Sequence, residues 1–166
     1  MPSLRARAAG GPVEVDVSRL EPGMMVSVEW RGKPVWIVNR SKAMLDQLAK
    51  NQSFLRDPNS EDSEQPNYCK NPARSIAEHS ANLVAVGICT HLGCSPKERL
   101  KAGPEEGMGA DWPGGFFCPC HGSKFDLAAR VFTDVPAPKN LVIPPHHYLS
   151  ATRLVIGDDK SSKGVG

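Results

Sequence analysis

Two short segments of the sequence concentrate cysteine and histidine. The first reads Cys-Thr-His-Leu-Gly-Cys over residues 89–94, and the second reads Cys-Pro-Cys-His-Gly-Ser over residues 118–123. The chain has five cysteines and five histidines, and the two segments together hold four of the cysteines and two of the histidines. Thiolates and imidazoles are both metal ligands, so this local concentration indicates a metal site.

Three kinds of centre could use these side chains. Two disulfides would pair the four cysteines but would leave both histidines without a role. A structural zinc site of the Cys2His2 kind usually takes its two cysteines from one short motif and its two histidines from another, whereas each segment here offers both types and two cysteines remain over. A two-iron, two-sulfide cluster can bind two thiolates on one iron and two imidazoles on the other. We favour this third interpretation.

In the iron–sulfur interpretation each segment gives one ligand to each iron. Cys89 and Cys118 would bind the inner iron, and His91 and His121 would bind the outer one. Residues i and i+2 of an extended segment project the same way, as Cys89 and His91 require. Neutral imidazoles in place of thiolates remove negative charge, which favours the reduced state and raises the reduction potential. They also leave a titratable ring on the redox centre, so electron and proton transfer become coupled.

The remaining cysteines and histidines need a separate account. Cys94 and Cys120 stand in the two segments and could be joined, which would clamp both loops over the cluster in an oxidising compartment. Cys69 is left over, and we expect a free thiol near the surface of a long loop, with an intermolecular bridge as the lesser alternative. Surface positions are expected for the other three histidines, His79, His146 and His147.

The elements that would position the two segments are mostly strands. Alternating apolar residues and short β-branched runs predict strands at 13–17, 24–30, 34–38, 83–88, 116–117, 131–132, 141–143 and 152–156. A tight turn at 31–33 would join the second strand to the third. Ser41 is a suitable N-cap for a short helix over 42–51. Polar, Pro-rich residues are typical of loops at 57–80 and 95–115, so the predicted fold class is mainly β with one short helix.

Length and composition set the outer limits. The 166 residues suit one domain, and 40% apolar with 23% charged residues is ordinary for a globular chain. A formal net charge of +2 without a basic block gives no electrostatic basis for nucleic-acid binding. The longest apolar run, residues 83–89, is too short to cross a membrane. Residues 1–12 are typical of a tether, and residues 158–166 of a polar tail.

The two motifs resemble those of the Rieske iron–sulfur proteins of cytochrome bc complexes. The resemblance includes residues 84–88 before the first motif and Val-Pro-Ala-Pro at 135–138, which is similar to the proline loop of that family. It covers nearly the whole of residues 13–157. Soluble Rieske ferredoxins and ring-hydroxylating oxygenases normally lack a second cysteine pair, so Cys94 and Cys120 favour the bc type.

This resemblance implies a Rieske-type antiparallel β-sandwich over 13–157, with a small cluster-binding subdomain at about 88–138. It implies one [2Fe–2S] cluster held by the four ligands named above, and a Cys94–Cys120 disulfide. The backbone amides of Leu92, Gly93, Cys94 and Cys120 would point at the cluster sulfurs. Ser123 would donate its hydroxyl to one of them. Such donors stabilise the reduced state and raise the potential.

The same resemblance implies an electron-transfer subunit of a quinol–cytochrome c oxidoreductase. His121 would face quinol at the quinol-oxidation site on cytochrome b, and the electron would pass to cytochrome c1. Family members carry an N-terminal transmembrane helix followed by a hinge, for which residues 5–12 are suitable. We therefore expect a shortened, soluble form of an anchored protein from the periplasmic face of a bacterial inner membrane; a naturally soluble homologue is the alternative.

One departure from the family concerns Phe125, which stands where high-potential respiratory members typically have Tyr. Phe cannot donate a hydrogen bond to a ligand sulfur, so a lower potential is expected than in Tyr-bearing relatives. Two other functions stay open. One is the Rieske subunit of a different oxidoreductase such as arsenite oxidase, in which bridging cysteines also occur. The other is a zinc-stabilised binding module without redox activity.

Overall fold

The structure is a computed structural model and describes residues 11–104 and 107–158. The predicted tether and tail therefore lie almost entirely outside the described residues. Within them, the strands are β1 (Val13–Asp16), β2 (Met25–Trp30), β3 (Lys33–Asn39), β4 (Asn82–Val86), β5 (Lys97–Arg99), β6 (Gly115–Phe117), β7 (Lys124–Phe125), β8 (His146–Ser150) and β9 (Arg153–Ile156). One α-helix, α1 (Lys42–Lys50), and three short 3₁₀ turns, Gln52–Phe54, Asn67–Cys69 and Ala77–His79, complete the regular structure of these residues.

The nine strands form three antiparallel sheets of three strands each, in the orders β1-β9-β8, β2-β3-β4 and β5-β6-β7. A two-residue turn at Arg31 and Gly32 joins β2 to β3, with Trp30 paired to Lys33. Both turn residues have positive φ, +54° and +72°, as a type I′ hairpin requires. The predictions of a mainly β fold and of this hairpin are confirmed.

The sheet β2-β3-β4 is the middle layer, because β3 and β4 are buried on both faces. Val35 and Ile37 point to a core shared with β1 and β9. Trp36 and Val38 point to the opposite core, which contains the cysteines of both motifs. A strand buried on both faces appears as a continuous apolar run instead of an alternating pattern. This explains the uninterrupted apolar stretches in β3 and β4.

Helix α1 lies outside the sheets and begins as predicted. Ser41 is its N-cap, and the Ser41 hydroxyl accepts a hydrogen bond from the Met44 N–H at 3.3 Å. Leu48 is the buried residue of the helix and packs against Leu127 and Ala128, which follow β7. The helix therefore supports the chain immediately after the second Cys/His segment.

Three predicted elements differ from the observed ones. The predicted loop 95–115 contains the short strand β5, which pairs with β6 despite its charged sequence. Residues 131–132 make only isolated bridges, with Phe125 and Leu55. Residues 141–143 form no strand, because their backbone partners come from three different places: Leu141 donates to Ala129, Val142 accepts from Val86, and Ile143 donates to Glu64.

The expected surface positions of two histidines are wrong. His146 and His147 begin β8, which pairs with β9, and they are 1% and 6% exposed. The Nδ1 of His146 donates to the Pro144 carbonyl at 2.8 Å, and that of His147 to the Asp158 carbonyl at 2.7 Å. His79 is half-buried, and its ring stacks on Tyr148 with the centroids 3.8 Å apart.

Cys69 is a free thiol, as expected, but the expected surface position is wrong. The thiol is fully buried in the core that holds the motif cysteines, at the end of the 3₁₀ turn Asn67–Cys69. Burial raises the pKa of Cys69 to about 12, although the nearby charges of Arg74 and Arg40 lower it in part. A thiol of this kind is unreactive under ordinary conditions. Among the described residues, no helix has the length and apolar character needed to cross a membrane.

Candidate metal centre

The two Cys/His segments fold into loops with the same backbone pattern. In the first loop, the N–H of Cys89 donates to Cys94 and the N–H of Gly93 donates back to Cys89, at 2.6 and 3.1 Å. In the second, Cys118 donates to Ser123 at 2.8 Å and Gly122 to Cys118 at 2.9 Å. Gly93 and Gly122 have nearly equal positive φ values, +85° and +84°, which glycine adopts without strain. Both loops therefore present their middle residues outward in a similar way.

Packing between strands brings the two loops together. The first loop follows β4, and the second connects β6 to β7. Trp36 of β3 stacks on Phe116 of β6 with ring centroids 4.7 Å apart and planes 22° apart. This stack joins the middle sheet to the small sheet β5-β6-β7 directly beneath the two motifs.

The cysteines that begin the two loops are buried, whereas the histidines stand at the surface. Cys89 is 3% and Cys118 2% exposed. His91 is half-buried and His121 is exposed, and their ring centroids are 5.0 Å apart with the planes at 85°. Two thiols inside and two neighbouring imidazoles outside match the donor set of a mixed-ligand two-iron centre.

The remaining two cysteines form the predicted disulfide, Cys94–Cys120, with Cα atoms 6.6 Å apart. The sulfurs of Cys94, Cys118 and Cys120 all lie within 4.8 Å of one another, so three sulfurs meet at this point. Those of Cys94 and Cys120 are bonded to each other and cannot bind metal as thiolates. The free thiols that could bind it in the loops are those of Cys89 and Cys118.

The surroundings of the Cys89 thiol act on its charge in opposite directions. Burial raises the pKa of Cys89, and the neighbouring Cys118 thiol raises it further. Hydrogen bonds from the His91 backbone N–H and from the Ser123 hydroxyl lower it in part. Metal binding requires the thiolate, so iron bound here must displace this proton. The donation from the His91 backbone is a contact that the sequence did not reveal.

Two contacts connect the loops to the proline-rich segment 135–138 and to the residue after it. The buried Ser123 hydroxyl accepts a hydrogen bond from the Ala137 N–H at 3.0 Å, which leaves its hydrogen free to point at a sulfur. The Thr90 hydroxyl donates to the Lys139 carbonyl at 2.5 Å. These bonds hold the proline segment against both ligand loops.

Of the other predicted cofactor-binding residues, Leu92 is 68% exposed at the tip of the first loop. The Gly93 N–H is engaged with the Cys89 carbonyl, so it reaches a cluster sulfur only as a shared donor. Phe125 is fully buried in the same core as Cys89 and Cys118.

A buried charge network follows the second loop, and few features of the sequence indicate it. Asp126, directly after Phe125, forms an ion pair with Arg130 at 2.8 Å, with both side chains fully buried. The carboxylate also accepts hydrogen bonds from the backbone N–H groups of Ala128 and Arg130 and from the Asn51 side chain. Asp and Arg four residues apart within an apolar run are the only sequence signal of this pair.

Two further buried arginines connect the long loop 57–80 to the segment that follows β7. Arg40 donates to the Ala73 and Leu127 carbonyls at 2.8 and 2.9 Å. Arg74 donates to the Ala129 carbonyl at 3.2 Å. Burial lowers the pKa of each arginine to about 10, with Asp126 opposing the shift, so both are charged at neutral pH.

The disulfide yields a stability prediction. Replacing Cys94 and Cys120 together with Ala is expected to lower the free energy of unfolding by about 2–4 kcal/mol, because the unfolded chain loses a cross-link between residues 26 positions apart. Denaturant titration of the purified protein measures this loss. The double variant is compared with the parent protein, and equal unfolding midpoints for the two would contradict the prediction.

Comparison with known proteins agrees with this geometry. Residues 12–145 match the Rieske [2Fe-2S] domain family. The chain is 62% identical over 161 residues to the ubiquinol-cytochrome c reductase iron-sulfur subunit of Allochromatium vinosum, covering 97% of this chain and 76% of the relative. It is 41% identical over 157 residues to the subunit of the same name from Bradyrhizobium diazoefficiens, covering 94% and 77%.

A solved structure described as a hyperthermophilic respiratory Complex III also resembles it, with a TM-score of 0.51 and 25% identity over 93% of this chain and 80% of the other. The family match spans both Cys/His loops, and two of its relatives exceed 40% identity over most of their length. The chain therefore belongs to the Rieske [2Fe-2S] domain family.

Proposed function

We propose that this protein is the electron-transfer iron–sulfur subunit of a quinol–cytochrome c oxidoreductase. The observation that carries the proposal is the separation of donors, with two thiols buried and two imidazoles side by side at the surface. The identity of 62% to a ubiquinol-cytochrome c reductase iron-sulfur subunit supports it. The proposed partners are the cytochrome b and cytochrome c1 subunits, at the periplasmic face of a bacterial inner membrane.

The proposed ligands are Cys89, His91, Cys118 and His121. When bound, the cluster would accept one electron and pass it on. The exposed ring of His121 would take a hydrogen bond and then a proton from the quinol hydroxyl, at the ring nitrogen that does not bind iron. The exposed Leu92, which follows His91 in the first loop, would give the tip an apolar surface suited to the quinol pocket of cytochrome b. We also propose that residues 1–12 serve as the hinge of this head and that residues 88–138 form its cluster-binding part.

Metal analysis and a redox titration test the centre. The purified protein is expected to contain two irons and acid-labile sulfide per chain. Its one-electron reduction potential should be positive. In the pH range where oxidation of the cluster releases one proton with each electron, the potential should fall by about 59 mV per pH unit. One zinc per chain and a colourless solution would refute the proposal.

A second experiment tests the partner enzyme. In membranes whose bc complex lacks its iron–sulfur subunit, the full-length protein should restore quinol-dependent reduction of cytochrome c. A His121→Ala variant should fail to restore it. Restored arsenite oxidation without quinol-dependent reduction would assign the chain to the other oxidoreductase.

Phe125 gives a prediction on the potential. Its ring is fully buried in the same core as Cys89 and Cys118, and the family resemblance implies that a Tyr hydroxyl at this position reaches a ligand sulfur. Phe125→Tyr is expected to raise the reduction potential by about 40 mV, which is one hydrogen bond of about 1 kcal/mol for a one-electron couple. Protein-film voltammetry measures the shift. Phe54→Tyr, at an exposed position on the 3₁₀ turn Gln52–Phe54, is the control and should leave the potential unchanged. An unmoved potential in Phe125→Tyr would remove the argument.

A further inference from the structure

Three cysteine sulfurs of the two loops lie close together. Cys118 carries a free thiol, and its sulfur lies within 4.8 Å of both sulfurs of the Cys94–Cys120 disulfide. A disulfide is broken and re-formed when a thiolate attacks one of its sulfurs along the S–S axis, so the neighbouring Cys118 needs only a turn of its side chain to reach the reactive position. A thiolate bound to iron is not free to attack.

We propose that the ligand thiol of Cys118 and the Cys94–Cys120 disulfide form a thiol–disulfide exchange site that cluster binding silences. This inference rests on the proposed function in taking Cys118 as an iron ligand. In a chain that has lost its cluster, Cys118 exchanges with the disulfide. The iron site and the structural bridge are thereby coupled through one sulfur.

The exchange step needs no oxidant or reductant. The Cys118 thiol gives its proton to solvent, and its sulfur forms a bond to the sulfur of Cys94. The Cys94–Cys120 bond breaks with its electron pair on Cys120, which takes a proton from solvent. One thiol and one disulfide enter the step, and one of each leaves it.

Ring size favours the Cys94–Cys118 disulfide over a Cys118–Cys120 disulfide. A Cys118–Cys120 bond would close a ring across Pro119 alone, whose φ is fixed, whereas a Cys94–Cys118 bond keeps a long loop. Position favours it as well. Cys120 is exposed and Cys94 is half-buried, so the released thiol lies at the surface.

The consequence is a form of the protein that cannot take up a cluster. Once Cys118 is bonded to Cys94, one of the two buried thiols of the centre is consumed. After loss of the cluster, reloading would then be blocked until the released Cys120 thiol attacks the Cys94–Cys118 bond and restores the Cys118 thiol. In a newly made chain, the cluster would likewise have to be inserted before Cys118 exchanges with the disulfide.

Disulfide mapping tests the proposal. The cluster-bearing protein is divided into two samples, one of which is freed of iron with a chelator under anaerobic conditions. Free thiols are alkylated, and peptides are mapped by mass spectrometry without reduction. The iron-free sample is expected to gain a Cys94–Cys118 linked peptide and an alkylated Cys120, both absent from the untreated sample. The fully buried Cys69 should escape alkylation, which reports that the chain is still folded.

Two variants sharpen the result. Cys118→Ser should retain only the Cys94–Cys120 link, and Cys69→Ala should exchange as the parent does. A map that keeps only Cys94–Cys120 after iron removal, with Cys118 alkylated, would overturn the proposal. Alkylation of Cys69 together with the others would overturn it too, because exchange would then belong to the unfolded chain. Iron and sulfide analysis of the untreated sample separates failure of the proposed function from failure of the exchange.

Discussion

Replacing Cys118 with Ser is expected to abolish cluster binding, so that iron and acid-labile sulfide fall from the full complement to background. Cys118 is one of only two free cysteines in the described parts of the two loops, and its sulfur is buried at 2% exposure. A serine hydroxyl does not ionise at neutral pH and is a poor ligand for iron in a sulfide-bridged centre. The visible absorption of the purified protein and its iron content measure the loss.

A matched control for this change lies in the same core. Cys69→Ala removes the third free cysteine, which is fully buried and lies outside both loops. It should leave the iron and sulfide content unchanged. If Cys118→Ser bound iron as well as Cys69→Ala does, the assignment of Cys118 as a ligand would be wrong.

The chemistry of the site could be predicted from sequence because its donors lie in two local motifs. Cys94 and Cys120 were expected to pair, and they do. The identity of Rieske donors depends on residue type and on spacing within six residues, which the sequence displays directly. The strands of the middle sheet were also predictable, because β3 and β4 are unbroken β-branched and apolar runs.

The predictions that were wrong share a physical cause: contacts between residues distant in the sequence determine the structure of these segments. His146 and His147 follow two prolines and are typical of a loop by local criteria, yet they pair with β9 and are buried. Residues 141–143 are apolar, but their backbone hydrogen bonds go to three unrelated segments and make no ladder. Tertiary partners of this kind override local propensity and leave no periodic signal.

The buried arginines were missed for a related reason. Arginine is rarely buried without partners, so sequence reasoning places it at the surface. Here the partners of Arg40 and Arg74 are mostly backbone carbonyls of distant loops. Every residue has a backbone carbonyl, so the sequence does not indicate which ones accept these hydrogen bonds. These bonds fix the chain that follows the second ligand loop, and they therefore help to hold the site in shape.

Removal of the buried carboxylate in that network should have the largest effect on stability. Asp126→Ala is expected to lower the free energy of unfolding by about 3–5 kcal/mol, because it leaves the fully buried Arg130 without its counter-ion. The charge of Asp126 also stabilises the charged forms of the buried Arg40 and Arg74. Its removal therefore destabilises three buried cations. The backbone N–H groups of Ala128 and Arg130 lose their acceptor at the same time.

Denaturant unfolding of cluster-bearing protein measures this effect, and an exposed ion pair supplies the control. Asp46 bonds to Lys42 on the surface of α1 at 2.9 Å, with side chains 59% and 89% exposed. Asp46→Ala removes the same kind of charge, but water solvates the lysine left behind, so the unfolding midpoint should not move measurably. Because the loop 126–130 lies directly after β7, Asp126→Ala should also release iron to a chelator faster than Asp46→Ala does. Equal midpoints and equal rates of iron release for the two variants would show that the buried network does not support the metal centre.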